Sequence, residues 1–392
     1  MNQFIKTEYK KISFNKDLNS NKSLLINEIN NKNILVIGGA GTIGSNYIKQ
    51  ILKYLPSKIT VVDTNENGLT ELTRDLRSSD LLDYNPIYTT YPVNLLSDTF
   101  DKIFNAESWQ VVANFSAHKH VRSEKDKISV EALIKNNVFG AIKLLKLCNT
   151  NVPKYFFSVS TDKAANPVNI MGASKSLMEK LILSKKDEFR VSTARFANVA
   201  YSNGSLLDGF IFRLNKNQPL SCPSDVKRFF VSEKQSGQIC LLATFLGSSG
   251  NIFFPKLDFH KDQIFFKEIA IDFLKSNGFD PVAVNSEIEA KEYDIVNNKP
   301  KYPIYFFKTD TSGEKTYEEF YTEEESYDIN KYDSLGFINS PKIKISFDDV
   351  LNDFETVFSK INLNKIDIVN VINKYVPGFK HNETGRNLDQ KM

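Results

Sequence analysis

From residue 33 onward, short apolar runs alternate with stretches of helical period. Ile34-Leu35-Val36-Ile37 is a continuous apolar tetrad, as expected of a strand buried on both faces. A further apolar run stands at 59–62, and 87–91, 111–115, 155–159 and 191–196 read as strands. Helical patterns separate them at 42–55, ended by Pro56, and at 68–78, 130–149 and 171–186. Strands and helices alternating at these lengths predict an α/β fold, a doubly wound parallel sheet with helices on both faces. Beyond 205 the alternation fades. A helix is expected at 237–245 and a strand at 252–254, while 281–328 is rich in Lys, Glu and Tyr with few apolar runs. The tail reads as helical over 347–375.

The 392 residues are 41% hydrophobic and 25% charged, an ordinary globular composition with room for a large core. Fifty Lys and Arg against 47 Asp and Glu leave a net charge of +3, without the basic stripe of a nucleic-acid binder. Cys148, Cys222 and Cys240 show no paired spacing, so neither a disulfide framework nor a zinc site is expected. No apolar run approaches the roughly 18 residues of a membrane span. The first 33 residues lack the apolar stretch of a signal peptide. These features predict a soluble, cytoplasmic protein.

Candidate chemistry begins directly after the first strand. Gly38-Gly39-Ala40-Gly41-Thr42-Ile43-Gly44 places glycines at 38, 41 and 44 between a strand and a helix. Such a turn lets backbone approach a pyrophosphate at the helix N-terminus, with Thr42 and Ile43 opening the helix. Asp63 ends the second apolar run, 19 positions past Gly44, where a carboxylate can bind an adenosine ribose and disfavours a 2′-phosphate. NAD is the expected cofactor, in preference to NADP. The expected organisation is a polar extension at 1–32 and a Rossmann-type core at 33–250 with a substrate-binding insertion near 203–228. A smaller α+β substrate-binding part at 251–340 and a helical tail at 341–392 follow.

The Gly-x-x-Gly-x-x-Gly spacing resembles that of the extended short-chain dehydrogenase/reductase superfamily, as does Asn137-Val138-Phe139-Gly140. A longer stretch runs Ser160-Thr161-Asp162-Lys163-Ala164-Ala165-Asn166-Pro167, then Met171-Gly172-Ala173-Ser174-Lys175. It resembles the UDP-N-acetylhexosamine 4,6-dehydratases of bacterial surface-polysaccharide biosynthesis. Arg195-Phe196-Ala197-Asn198-Val199, Ser202-Asn203-Gly204-Ser205, Arg228-Phe229-Phe230 and Ser312-Gly313-Glu314-Lys315 extend the likeness. Lys175 lies four positions after Met171, so the two share a helix face. In the superfamily this pair is ordinarily Tyr and Lys. Methionine cannot carry a proton, and its presence resembles the subgroup of bacillosamine-type sugar synthesis, which implies retention at C5.

The resemblance implies a reaction: oxidation at sugar C4, removal of the acidified C5 proton with loss of the C6 hydroxyl, and hydride return to C6. Lys163 is the implied base, provided that burial or Lys175 lowers its pKa, and Asp162 the acid. Thr161 would hydrogen-bond O4, and either Thr161 or Asp162 through a water would relay the proton in place of tyrosine. Ser116 and Ala117 would admit the cofactor backbone-close, and Lys175 would contact it as well. Asn198, Arg228, Lys315 and Lys119 are the implied substrate contacts, although Thr311-Ser312 replaces the family's Arg-Pro. His118 and His120 gather no further ligands, and no metal is expected. Thr161 and Asp162 are also ordinary capping residues, and Glu323-Glu324-Glu325 reads as solvated. The resemblance implies a UDP-sugar as substrate and self-association into a homo-oligomer. Rival readings are an inverting dehydratase/5-epimerase, a nucleotide-sugar epimerase, and a non-catalytic NAD-sensing protein.

Overall fold

A computed structural model describes residues 12–310, 313, 315, 317–381 and 383. The polar start at 1–11, Thr311, Ser312, Glu314 and the end to Met392 lie outside the described residues. The strands are β1 (Asn33–Ile37), β2 (Lys58–Asp63), β3 (Ile87–Pro92), β4 (Val111–Asn114), β5 (Tyr155–Val159), β6 (Val191–Ala194), β7 (Asn198–Val199) and β8 (Leu220–Pro223). They continue as β9 (Lys227–Arg228), β10 (Phe230–Val231), β11 (Asn251–Pro255), β12 (Ile264–Phe265), β13 (Asp280–Val284), β14 (Lys301–Phe307), β15 (Tyr327–Asp328) and β16 (Leu335–Asn339). The main sheet runs β15-β16-β11-β6-β5-β4-β1-β2-β3. It is parallel from β3 across to β11, and β16 and β15 close it antiparallel.

The continuous apolar runs are explained by two cores. Ile34 and Val36 of β1 enter one, Leu35 and Ile37 the other, as alternate strand residues must. The first core packs the helices Thr42–Ile51 and Glu233–Phe245 against the sheet. A Cβ on Gly237 would lie 2.5 Å from the Asn46 carbonyl carbon, so that glycine permits the close helix crossing. The second core packs Asp98–Asn105, the helical run 127–150 and Ile170–Leu183 on the opposite face.

Two stretches differ from expectation. Residues 12–32 are an integral layer, because Phe14, Leu25 and Ile29 are buried in the first core. Asp17 also accepts hydrogen bonds from the backbone of Asp333 and Ser334, at 2.9 and 2.7 Å. The stretch 251–340 divides between two sheets. Its β11, β15 and β16 join the main sheet, whereas β13 and β14 pair with β8 in a separate parallel sheet. That sheet, with the helices Leu206–Asn215 and Phe266–Ser276, surrounds a third core of Leu207, Phe210, Phe273, Tyr302 and Ile304. The tail is helical as expected, in two helices, Phe347–Phe358 and Lys365–Tyr375, that pack on the second core through Phe354, Ile368 and Ile372.

Candidate active site

Strand order reverses between β1 and β4, and in open α/β sheets ligands bind beyond the carboxyl ends of strands at such a point. Three loops meet there: the glycine turn after β1, residues 115–120 after β4, and 160–169 after β5. Gly38 has φ +73°, and a Cβ there would sit 2.6 Å from the Phe115 carbonyl carbon. A Cβ on Gly44 would overlap the Gly38 carbonyl oxygen. Both positions are therefore glycine because the protein's own loops touch. Gly41 differs: a Cβ there would meet only the Gly38 oxygen, at 3.5 Å, which leaves its outer face open. No side chain caps the following helix, Thr42–Ile51, so its first amides are available to an anion. Thr42 Oγ1 accepts from the Asn203 backbone at 3.0 Å, and Ile43 is half-buried. Asp63 accepts from the Ala40 and Asn65 amides at 3.0 and 2.9 Å, and its oxygens keep lone pairs for a ribose. These features fit a dinucleotide.

Asn137 lies in a π-helical turn, Lys135–Phe139, inside the run 127–150. Its side chain accepts from His118 N at 2.9 Å and donates to His118 O and Ser174 Oγ, both at 3.0 Å. It thus ties the β4 loop, with half-buried Ser116 and Ala117, to the helix Ile170–Leu183. Such π turns concentrate at functional sites. Lys119 is exposed at the loop's tip.

The helix Ile170–Leu183 is buried on nearly every side and carries Met171 and Lys175, 2% and 4% exposed. Gly172 allows it to meet the 162–164 turn, for a Cβ there would lie 2.6 Å from the Lys163 oxygen. Its first amides are all bound by side chains. Glu124 accepts from Ile170 N and Met171 N at 3.0 and 2.7 Å, and Asn169 accepts from Gly172 N at 2.7 Å. Asn169 also donates to Gly313 O at 2.7 Å, which brings the Lys315 segment to the site. Lys175 Nζ donates to Val159 O at 2.8 Å, and burial pushes its ammonium down to about 8 against the pull of Glu179.

Thr161 Oγ1 donates to Asp162 Oδ1 at 2.9 Å, and Lys163 Nζ donates to the same oxygen at 3.0 Å. Asp162 is 2% exposed, and its Oδ2 is buried without a partner, as is the Ser160 hydroxyl. Lys163 Nζ also lies 3.5 Å from Glu318 Oε1, and Arg228 reaches that oxygen at 3.7 Å. Lys163 departs from expectation. Burial pulls its pKa down, but the carboxylates of Asp162 and Glu318 outweigh burial and Arg228 together, so the ammonium is held above its usual range. Lys175 is not among the charges that act on it. The structure thus unites Thr161, Asp162, Lys163 and Arg228, and adds Glu318, whose place in Glu318-Glu319 gave no signal beyond its motif.

The segment bearing Glu318 is fastened by Arg195. Its guanidinium binds Glu179 at 2.7 Å, Phe320 O at 3.1 Å and Glu325 at 2.8 Å. Glu325 is therefore an anchor and not part of a merely solvated run. The Asn198 backbone N–H donates to Phe229 O at 3.1 Å, next to Arg228.

The profile of a polysaccharide biosynthesis protein family matches residues 34–340. An uncharacterized membrane protein of Methanocaldococcus jannaschii, MJ1061, is 31% identical over 78% of this chain and 84% of its own length. The capsular polysaccharide biosynthesis protein CapD of Staphylococcus aureus is 28% identical over 88% of this chain, which spans 54% of CapD. A UDP-N-acetylglucosamine 4,6-dehydratase (inverting) of Campylobacter jejuni is 30% identical over 58% of this chain and 68% of its own length. Among solved structures, Pen from Bacillus thuringiensis superposes with a TM-score of 0.65 at 21% identity, covering 89% of this chain and 98% of that one. Among the described residues no helix is long and apolar enough to cross a membrane. By the span of the matching profile, the chain belongs to the polysaccharide biosynthesis protein family, on a Rossmann-like α/β fold.

Proposed function

We propose that the chain is a nucleotide-sugar 4,6-dehydratase that binds NAD and acts on a UDP-N-acetylhexosamine, UDP-N-acetylglucosamine first among them. The observation that carries this reading is the buried Thr161-Asp162-Lys163 cluster, with an unpartnered Asp162 oxygen, beside a helix that presents Met171 in place of a proton-bearing tyrosine. Gly41, the Thr42–Ile51 amides, Asp63, Ser116, Ala117 and Lys175 would hold the cofactor. The nicotinamide would supply the acceptor for the C4 hydride and its return at C6.

The chain's residues handle protons. Thr161 takes the O4 proton and passes its own to Asp162, along the 2.9 Å hydrogen bond that joins them. Asp162 delivers a proton to the leaving C6 hydroxyl, and Lys163 removes the C5 proton made acidic by the adjacent carbonyl. Arg228, Asn198, Lys315 and Lys119 would meet the diphosphate and sugar, with Arg228 turning from Glu318 to do so. Met171 favours retention at C5, whereas the Campylobacter relative is named as inverting. The chain works as a homo-oligomer, which analytical ultracentrifugation would read.

Incubation with UDP-N-acetylglucosamine and NAD in deuterated water tests the reading by mass spectrometry. A product one water lighter, carrying solvent deuterium at C5 and lost in Lys163→Ala, supports it, and NMR of the product reads the C5 configuration. NAD binding with no turnover of any UDP- or GDP-sugar would refute it and leave a dinucleotide-sensing protein.

A further inference from the structure

Glu318 is placed with more care than a surface carboxylate. It is 2% exposed, its Oε1 stands 3.5 Å from Lys163 Nζ, and its Oε2 is buried without a partner. Its neighbours are fastened on both sides: Glu319 accepts from Asn166 Nδ2 at 2.9 Å, and Phe320 O accepts from Arg195. Lys163 Nζ thus stands between two carboxylates, Asp162 Oδ1 at 3.0 Å and Glu318 Oε1. Asp162 has work of its own in the relay from Thr161. Glu318 has none there, and what its charge meets is Lys163 and Arg228.

We propose that Glu318 holds the ammonium that Lys163 becomes on taking the C5 proton, so that part of that hydrogen returns to C5 instead of passing to solvent. The proposal deepens the nucleotide-sugar reading above and rests on it. In the first half the C5–H bond breaks, an N–H bond forms on Lys163, and the electron pair left at C5 makes the C5–C6 double bond. The C6 hydroxyl leaves as water with the proton from Asp162. In the second half an N–H bond of Lys163 breaks and C5–H forms again as hydride returns to C6. That hydride came from C4, so no outside oxidant or reductant is needed.

Between the halves the ammonium must keep its hydrogens, and a weaker acid sheds a proton more slowly. Burial and Arg228 pull the Lys163 proton off, whereas Asp162 and Glu318 hold it on and prevail. A diphosphate that shares the charge of Arg228 weakens one of the opposing effects and so strengthens the hold. Glu318 itself offers the proton no way out, since its far oxygen is buried. An ammonium carries three hydrogens, of which two come from solvent and one from C5, so free rotation returns up to about one third of the C5 hydrogen. One nitrogen then takes and gives the proton on one side of the sugar, which retains the C5 configuration. Glu318 acts through Lys163, as a positioning residue.

The test supplies UDP-N-acetylglucosamine deuterated at C5, with NAD, in ordinary water, and reads deuterium in the dehydrated product at early times by mass spectrometry. The wild type should keep up to about one third of the label. Glu318→Gln should keep at least roughly threefold less, and Glu318→Asp, which retains the charge one methylene further off, should fall between. The rate should rise with pH as Lys163 becomes the free amine, and in Glu318→Gln the midpoint of that rise should move down by about 1–3 pH units. Dehydrated product without any retained label in the wild type overturns the proposal and leaves the nucleotide-sugar reading intact, and this outcome needs no variant to fold. Equal retention in the wild type and both variants, or an unmoved midpoint in Glu318→Gln, marks Glu318 as structural only and also overturns it. No dehydrated product from any UDP- or GDP-sugar removes the reading and the proposal with it.

Discussion

Removing Glu124 tests how the site helix is held. Its two oxygens accept from the backbone amides of Ile170 and Met171 at 3.0 and 2.7 Å, and the residue is 5% exposed. His381 Nε2 stands 3.7 Å from the same carboxylate, beyond hydrogen-bond distance. In Glu124→Ala both amides lose their acceptor in a buried place, at about 1–3 kcal/mol each, so roughly 4 kcal/mol in all is expected. Glu124→Gln keeps one acceptor and turns an amide donor toward the other N–H, so it should cost about half as much. Against a typical stability of about 5–15 kcal/mol, the alanine variant would fall close to threshold. Urea unfolding followed by tryptophan fluorescence is the assay. The chain has one tryptophan, Trp109, buried in the second core and bonded to Phe104 O at 2.8 Å, so its signal reports that core. The midpoint should fall while the slope stays constant. A shift in Glu124→Ala worth less than about 0.5 kcal/mol would refute the reasoning, since that is the range of ordinary surface substitutions.

Further expectations concern the glycines, the buried lysine and the proton relay. Gly44→Ala should destabilise the fold, because its Cβ overlaps the Gly38 carbonyl, whereas Gly41→Ala should leave urea stability unchanged and weaken NAD binding measured by calorimetry. Lys175 titrates near 8 when folded against 10.5 when unfolded, so between those values the unfolded chain holds more protons and stability must rise with pH. The shift is worth about 3 kcal/mol, and the stability difference between Lys175→Met and the wild type should shrink by roughly that much from pH 7 to 11 in urea titrations. A difference independent of pH would show that Lys175 is not depressed. Thr161→Val should lower dehydration roughly 100-fold, as loss of a proton relay does, while Met171→Leu should change it only a few-fold in the same mass-spectrometric assay.

The alternating pattern was enough to foresee most of the main sheet. Strands β1, β4 and β5 are buried almost throughout, and continuous burial leaves an apolar run whatever surrounds it, whereas the edge strand β3 has no buried residue. The glycine turn and the Thr161-Asp162-Lys163 stretch were legible for a related reason: their chemistry is local, set by neighbours along the chain. What lay beyond 205 was harder to read. Strand β14 mixes Lys301, Pro303 and aromatic residues, and its partners in β8 are 84 positions away, so no local period announces the pair. The polar look of 12–32 hid three buried apolar side chains, and even its Asp17 is buried.

The sequence by itself determined the residue types of the site and the order in which strands and helices follow. Only the tertiary structure decided their electrostatics. Lys163 was expected to lose its proton through burial, yet Glu318, 155 positions later, comes within 3.5 Å and holds the proton on. Glu124 caps a helix 46 positions downstream, and Arg195 ties that helix to the segment carrying Glu318. A pKa depends on every charge within a few ångströms, and distance along a chain says nothing of distance in space until the sheet has brought the loops together.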